Sequence, residues 1–180
     1  MKCPDERLEA FEFNIGRAPE LRCTNRHKAT TCGSCETCVL GLRIANVAGW
    51  FCQAGLRHQK SLVVGLIRRV NSADLLRNIV RTLRPLASKD SVYALNRGYQ
   101  TIDGERIAID GNGRVVDRTV ERCIEETLDW FTAANYWTKA NFLNAILRIS
   151  AVQLLNIGRM EANDALQIMQ NKEITSVTGT

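Results

Sequence analysis

Hydrophobic side chains recur with the period of an α-helix from Val39 onward. In the first such stretch they follow the i, i+4, i+7 template of one buried face: Leu40, Ile44, Val47, Ala48 and Phe51. The same periodicity predicts helices over 62–70 and 73–83. Ser72 is a natural N-cap for the latter helix, and Pro85 ends it because proline lacks the backbone N–H that a helix requires.

The helical pattern is interrupted over 88–114 and then resumes. This linker is rich in glycine, and its Asn112-Gly113 dipeptide is typical of a tight turn, so we expect a short hairpin there. From Val116 the helical period returns on Val120, Ile124, Thr127, Leu128 and Phe131. Further helices are predicted over 137–149, 151–160 and 161–170. The polar tail after Lys172 is expected to be disordered.

The second half of the chain repeats the first at a shift of 79–80 residues. Trp50-Phe51 falls on Trp130-Phe131, and after a one-residue gap Lys60 falls on Lys139, Ile67 on Ile146, Arg69 on Arg148, and Leu75-Leu76 on Leu154-Leu155. We interpret this match as two copies of a three-helix unit. The alternative is that amphipathic helices resemble one another by pattern alone.

These patterns predict an all-α fold, a helical repeat-like stack of two similar three-helix units. We expect a short Cys-rich lead-in over 1–38, the first helical unit over 39–87 and the Gly-rich linker over 88–114. The second helical unit is expected over 115–172, followed by the tail over 173–180.

Five of the seven cysteines of the chain lie in the lead-in, four of them between Cys23 and Cys38, and the segment 32–38 is a CxxCxxC motif. Two-residue gaps let thiolates converge on one metal ion, and Gly33-Ser34 permits the tight turn of a zinc knuckle. The candidate ligands of a structural zinc ion are Cys23, His27, Cys32, Cys35 and Cys38. Inert thiols are the main alternative, and an iron–sulfur or redox role is a further one.

Composition and charge narrow the class of protein. Apolar residues make up 45% of the chain and charged residues 24%, which is ordinary for a globular domain. No apolar stretch is long enough for a membrane helix, and the acidic start lacks the core of a signal peptide, so we expect a cytoplasmic or nuclear protein.

The net charge of +5 is modest, but the segment from Arg57 to Arg84 contains seven Lys and Arg residues and only one acidic residue, Asp74. Arg77, Arg81 and Arg84 share one face of the third helix, and together with Arg69 they are the candidate partner-binding residues. A solvated face is the commonest explanation of such a stripe. An acidic protein surface and nucleic-acid phosphates are the functional alternatives.

Catalytic motifs are missing from the sequence. It contains no GxSxG, Walker or dinucleotide-binding fingerprint, and neither of its two histidines has a nucleophile at motif spacing. We therefore expect a protein that is not an enzyme.

Several short motifs occur in an order that resembles a known family. They are Cys35-Glu36-Thr37-Cys38-Val39-Leu40, Trp50-Phe51-Cys52, Lys89-Asp90 with Tyr93 and Asn96-Arg97, Thr119-Val120-Glu121, Trp130-Phe131, and Trp137-Thr138-Lys139-Ala140-Asn141. Over about 20–157 the chain resembles the region upstream of the F-box in the F-box/WD repeat-containing protein 10 family.

This resemblance implies a substrate-recognition subunit of a Skp1–cullin–F-box (SCF) ubiquitin ligase, in which the F-box docks the adaptor and a WD-repeat propeller holds the substrate. The chain itself lacks a recognisable F-box and any WD dipeptide. We therefore expect it to correspond to the amino-terminal helical region alone, which acts through protein partners, with SCF components among them only if an F-box lies beyond this chain. The hypothesis from another class is an independent zinc-stabilised helical module that binds nucleic acid or an acidic protein through the basic face of residues 57–84.

Overall fold

The structure is a computed structural model that describes residues 34–86 and 117–178. Within these two ranges the chain is all-helical, as predicted, and contains no strand. The six α-helices are α1 (Glu36–Phe51), α2 (Leu56–Arg68), α3 (Ala73–Leu83), α4 (Asp117–Ala133), α5 (Tyr136–Arg148) and α6 (Val152–Thr178). A 3-10 turn, Arg84–Leu86, follows α3 at the position of Pro85. The predicted hairpin at Asn112-Gly113 lies outside the described residues.

Helix α3 has the bounds that the sequence predicts, and its cap explains why. The Ser72 hydroxyl accepts a hydrogen bond from the Leu75 backbone N–H at 3.4 Å, which satisfies one of the free donors of the first turn. The buried stripe of α3 comprises Leu75, Leu76, Ile79 and Leu83.

Other helix bounds differ from the predicted ones. Helix α2 begins at Leu56, well before residue 62, because its first turns carry polar residues that the search for an apolar stripe overlooked. The two helices predicted over 151–160 and 161–170 are one continuous helix, α6, which also extends past Lys172 to Thr178. The junction at Met160-Glu161 is made of good helix formers, with no proline or glycine to break it.

The two halves of the chain share one hydrophobic core. Helix α6 packs against α3 and α2, α2 also packs against α4, and α1 packs against α5. The largest fully buried side chains come from both halves: Phe51, Leu62, Leu66, Ile67, Leu75, Leu76, Ile79, Leu83, Phe131, Phe142 and Leu143. Each half therefore buries its apolar stripes mainly against the other half.

The bounds of the helices bear on where the one-residue gap lies in the predicted match between the two halves of the chain. Leu56 and Tyr136 begin equivalent helices 80 residues apart, and Arg68 and Arg148 end them at the same separation. The C-cap residues Arg69 and Ile149 also share nearly the same φ and ψ, −93° and 1° against −95° and 0°. An alignment on these helix bounds would put the single-residue gap in the connection before α3 and pair Lys60 with Ala140, whereas the apolar pattern of the sequence pairs Lys60 with Lys139. The duplication itself stays a prediction.

Gly65 lies where α2 packs against α4. A Cβ atom built at this residue would lie 2.7 Å from Cδ1 of Leu128, which is itself buried in the core. At Gly49, on the exposed side of α1, a Cβ atom would meet nothing within 4 Å.

We predict opposite effects of alanine at these two glycines. Gly65→Ala should lower the free energy of unfolding by about 1–3 kcal/mol, because Leu128 must leave its packed position. Gly49→Ala should raise it by about 0.5–1 kcal/mol, because alanine is the better helix former and has room there. Urea denaturation followed by circular dichroism measures both. A Gly65→Ala variant as stable as the unchanged protein would contradict the close packing of α2 on α4.

Candidate functional site

A groove of about 300 Å³ lies where the first turn of α1 meets the end of α4 and the start of α5. Its lining combines apolar and polar side chains: Glu36, Val39, Leu40, Trp130, Ala133, Ala134, Asn135 and Thr138. We call this site the Glu36 groove. Its walls come from both halves of the chain, so it exists only when the two halves are packed together.

The polar side of the Glu36 groove is a small hydrogen-bonded cluster. Asn135 caps α5, its Oδ1 accepting a hydrogen bond from the Thr138 backbone N–H at 2.9 Å. The Asn135 side-chain amide and the Thr138 hydroxyl both donate to Glu36 Oε1. The hydrogen bond from Thr138 and then that from Asn135 lower the pKa of the Glu36 carboxyl below its ordinary value. Glu36 is therefore a fixed, ionised carboxylate at neutral pH.

Trp130 forms the aromatic wall of the groove. Its ring meets Phe142 edge-on, with centroids 5.0 Å apart, which anchors the indole to the core. The Arg43 guanidinium lies 5.6 Å from the centroid of the Trp130 ring, in a cation–π contact.

Chemically, the groove offers one charge and several hydrogen-bonding groups. Glu36 is the single titratable side chain among the residues that line it. A fixed carboxylate beside amide and hydroxyl groups can hold a polar or positively charged group of a ligand.

The predicted zinc ligands divide between described and undescribed residues. Cys35 is the N-cap of α1, with extended backbone angles, and Cys38 lies one turn later and is 8% exposed. Cys23, His27 and Cys32 lie outside the described residues. Within 34–86 and 117–178, no three His, Cys, Asp or Glu side chains come together as a metal site would require. Two thiols one helical turn apart fit half of a zinc site, and the zinc ion stays a prediction.

The predicted arginine stripe is exposed, but its members differ. Arg77, Arg81 and Arg84 are all exposed, whereas Arg69 is half-buried at the end of α2. Arg69 Nη1 donates to the Gly65 carbonyl oxygen at 3.2 Å. The Arg77 guanidinium forms an ion pair with Asp74. The free charge of this face therefore lies mainly toward the end of α3.

Lys139 is a buried cation that the sequence analysis missed. It is 4% exposed, and its ammonium lies 5.6 Å from the centroid of the Phe131 ring. Burial lowers its pKa below the ordinary value of 10.5. At the equivalent position of the first half, the Gln59 side-chain amide donates to the Phe51 carbonyl oxygen at 2.8 Å. Both side chains thus reach back toward the C-terminal end of the preceding helix. The negative end of the helix dipole favours a hydrogen-bond donor or a positive charge there.

The sequence analysis missed the Glu36 groove as well. A helix-cap signal in the sequence could have indicated the start of α5. This signal is Asn135, followed three residues later by Thr138 and then by an apolar helical pattern. Nothing local predicts that Glu36, 102 residues from Thr138, would join them.

Comparison with known proteins confirms the resemblance seen in the sequence. F-box/WD repeat-containing protein 10 of Homo sapiens is 28% identical over 173 residues, which cover 96% of this chain and 16% of that protein. F-box and WD repeat domain containing protein 10B of Homo sapiens is 27% identical over 173 residues, covering 96% of this chain and 22% of that protein. The Mus musculus F-box/WD repeat-containing protein 10 is 28% identical over 176 residues, which cover 96% of this chain and 17% of that protein.

This chain therefore matches part of those proteins and spans 16–22% of their length. No family profile and no solved structure matches it. In the described ranges, no helix has the length and apolarity that crossing a membrane would take.

We predict that Lys139 makes stability depend on alkaline pH. Because its pKa is lower in the folded chain, the unfolded chain binds more protons between that lowered pKa and 10.5. The free energy of unfolding should therefore rise with pH across this window. Lys139→Gln should lose that rise, since glutamine keeps a donor without a titrating charge. Urea denaturation of both proteins between pH 7 and 10.5 measures the difference, and parallel pH dependences would contradict the buried ammonium.

Proposed function

We propose that this chain is a non-catalytic protein-interaction region of an F-box/WD-type subunit of an SCF ubiquitin ligase. The observation that carries the proposal is the match of 96% of the chain to proteins named for an F-box and WD repeats. By their names, those relatives contain an F-box and WD repeats, and we infer that the helical region supplies a further surface for partners. The role in ubiquitination comes to this chain through that similarity.

The architecture supports an interaction role. Six helices share one hydrophobic core, and they present a groove with a single hydrogen-bonded carboxylate and, elsewhere, exposed arginines. Apolar side chains are also exposed on separate helices, among them Leu42 on α1 and Trp137 on α5, at 63% and 44%. Aromatic and aliphatic groups of this kind are common anchors in protein interfaces. We place the activity in the cytoplasm or nucleus, where SCF ligases act.

A second candidate function uses the basic face of residues 57–84. Arg81 and Arg84 are exposed, as are Arg57 and Lys60 on α2. Such a surface would attract an acidic protein or nucleic-acid phosphates by long-range electrostatics. The Arg77–Asp74 pair weakens the stripe, which is why we place this function second.

A structural zinc ion is part of both proposals. Cys35 and Cys38 would supply two thiolates from the start of α1, where the helix N-terminus favours negative charge. The remaining ligands would come from Cys23, His27 and Cys32. The ion would tie the lead-in to the helical core.

The first test is purification of the tagged 180-residue chain from cells, with mass spectrometry of the proteins that accompany it. We expect specific protein partners, and recovery of the adaptor and cullin would assign the ligase role to this chain directly. A chain that retains no specific protein would contradict the interaction role.

The matched variant for this experiment reverses the charge of the arginine stripe. It combines Arg77→Glu, Arg81→Glu and Arg84→Glu. All three residues are exposed, so the fold should persist. We expect the partners to be retained. Loss of every partner, or of nucleic acid that accompanies the unchanged chain, would favour the second candidate function instead.

The zinc proposal has its own prediction. Replacement of Cys35 and Cys38 by serine should remove bound zinc and lower the melting temperature, because the binding energy of a structural site is folding energy. Elemental analysis of the purified chain and thermal denaturation are the measurements. Cys123→Ser, in α4, is the control and should keep the zinc. A purified chain without zinc, whose melting is unchanged by the double substitution, would overturn the proposal.

A further inference from the structure

The Glu36 carboxylate is held in place by one of its two oxygens. Both hydrogen bonds from α5, those of Asn135 and Thr138, end on Oε1. Among the contacts of the described residues, Oε2 accepts no hydrogen bond and Glu36 makes no ion pair. The groove therefore contains a preorganised anion with a free oxygen.

The surroundings of this oxygen favour a positive charge. Helix α4 ends at Ala133, and Ala133 and Ala134 line the groove, so the negative end of the α4 dipole borders it. The positive ends of α1 and α5 are already engaged by Glu36 itself, through its place in the first turn of α1 and its bonds to Asn135 and Thr138. A cation entering the groove would thus meet a carboxylate oxygen and a helix C-terminus together.

The size and walls of the groove select one kind of cation. A volume of about 300 Å³ is at the lower limit for small-molecule pockets and has room for a single long side chain. Val39, Leu40 and Ala133 provide an apolar wall. The methylene groups of a lysine or arginine can lie along this wall while the charged group at the end of the side chain stays in polar surroundings.

We propose that the Glu36 groove binds a lysine or arginine side chain from a basic segment of a protein partner. The charged end pairs with Glu36 Oε2, and the methylene stem lies along Val39 and Ala133. This inference rests on the proposed protein-interaction function and specifies the chemistry of its partner.

Arg43 is the neighbouring positive charge that the proposal must accommodate. It lies seven residues beyond Glu36 on α1, which corresponds to about 10 Å along the helix, roughly one Debye length at physiological salt. Its guanidinium is already over the Trp130 ring. Arg43 is not among the residues that line the groove, and among the described residues it forms no ion pair with Glu36.

The probes for the test are Nα-acetyl-arginine amide and its neutral isostere, Nα-acetyl-citrulline amide. Each is titrated into the isotopically labelled full chain while backbone and side-chain amide shifts are followed by NMR. We expect the arginine probe to shift the signals of Ala134, Asn135 and Thr138 with a dissociation constant on the order of millimolar, as suits one small ligand with one ion pair. The citrulline probe should leave these signals in place.

Two variants and one control complete the design. Glu36→Gln keeps an oxygen that accepts from Asn135 and Thr138 but removes the charge, and it should weaken binding of the arginine probe several-fold, the modest loss expected for an exposed ion pair. Ala133→Leu should block the groove without changing any charge. Glu121→Gln removes an exposed glutamate of α4 away from the groove and should leave binding unchanged.

Equal shifts with both probes, or undiminished arginine binding by Glu36→Gln, would overturn the groove proposal. The two proposals fail separately. If the tagged Glu36→Gln chain recovers the same protein partners as the unchanged chain, the interaction function stands and the groove is not its docking site. If the arginine probe binds but no specific protein is recovered from cells, the interaction function fails while the groove retains its cation site.

Discussion

The burial of each half of the chain against the other is the constraint on which this structure depends. No helix here carries an apolar stripe that its own three-helix unit can cover, and the leucine-rich face of α3 is buried mainly by α6 from the second half. A core of this kind forms only when both halves are present, since exposed stripes of leucine and phenylalanine would otherwise cost about 1.5–3 kcal/mol for each side chain. The packing is close enough that Gly65 and Gly158 stand where side chains from other helices take the space: Leu128 at the first, Ile67 and Val63 at the second.

The Glu36 groove is a consequence of that packing. Its polar cluster joins residues about a hundred positions apart in sequence, and they meet because α1 lies against α5 across the shared core. The Arg68–Glu161 ion pair joins α2 to α6 in the same way, with two hydrogen bonds at 3.0 and 3.2 Å. An exposed pair of this type contributes little to stability. The polar links between the halves therefore fix geometry at the surface, while the apolar core supplies most of the free energy.

The sequence predicted the parts of the fold that depend on local chemistry. The Ser72 cap and the leucine stripe define α3, and the break at Pro85 follows from proline itself. The predicted helix bounds were wrong where tertiary packing, rather than the local sequence, determines the helix. The polar first turns of α2 are helical because His58, Leu62 and Leu66 are buried against other helices, and α6 is continuous because α2 and α3 both pack along it. The site was unpredictable for the same reason: Glu36, Asn135 and Thr138 are three unremarkable polar residues until the fold brings them together. The resemblance to F-box/WD proteins was found from the order of short motifs, a signal that requires no folding.

The predicted duplication allows the residues of the Glu36 groove to be compared with the corresponding residues elsewhere in the sequence. With a shift of 80 residues, Asn135 and Thr138 correspond to Gly55 and His58, and Glu36 corresponds to Val116. At these corresponding positions the sequence therefore has neither the amide, nor the hydroxyl, nor the carboxylate of the groove. The buried positions behave differently: Phe51 and Phe131 are both buried, as are Leu66 and Ile146, so the core keeps its pattern in both halves. A shared ancestral unit would give the two junctions the same backbone, and the fold alone would not place a carboxylate at one of them. On this alignment, the carboxylate of Glu36 belongs to the sequence at the start of α1 and not to the apolar pattern that the two halves share.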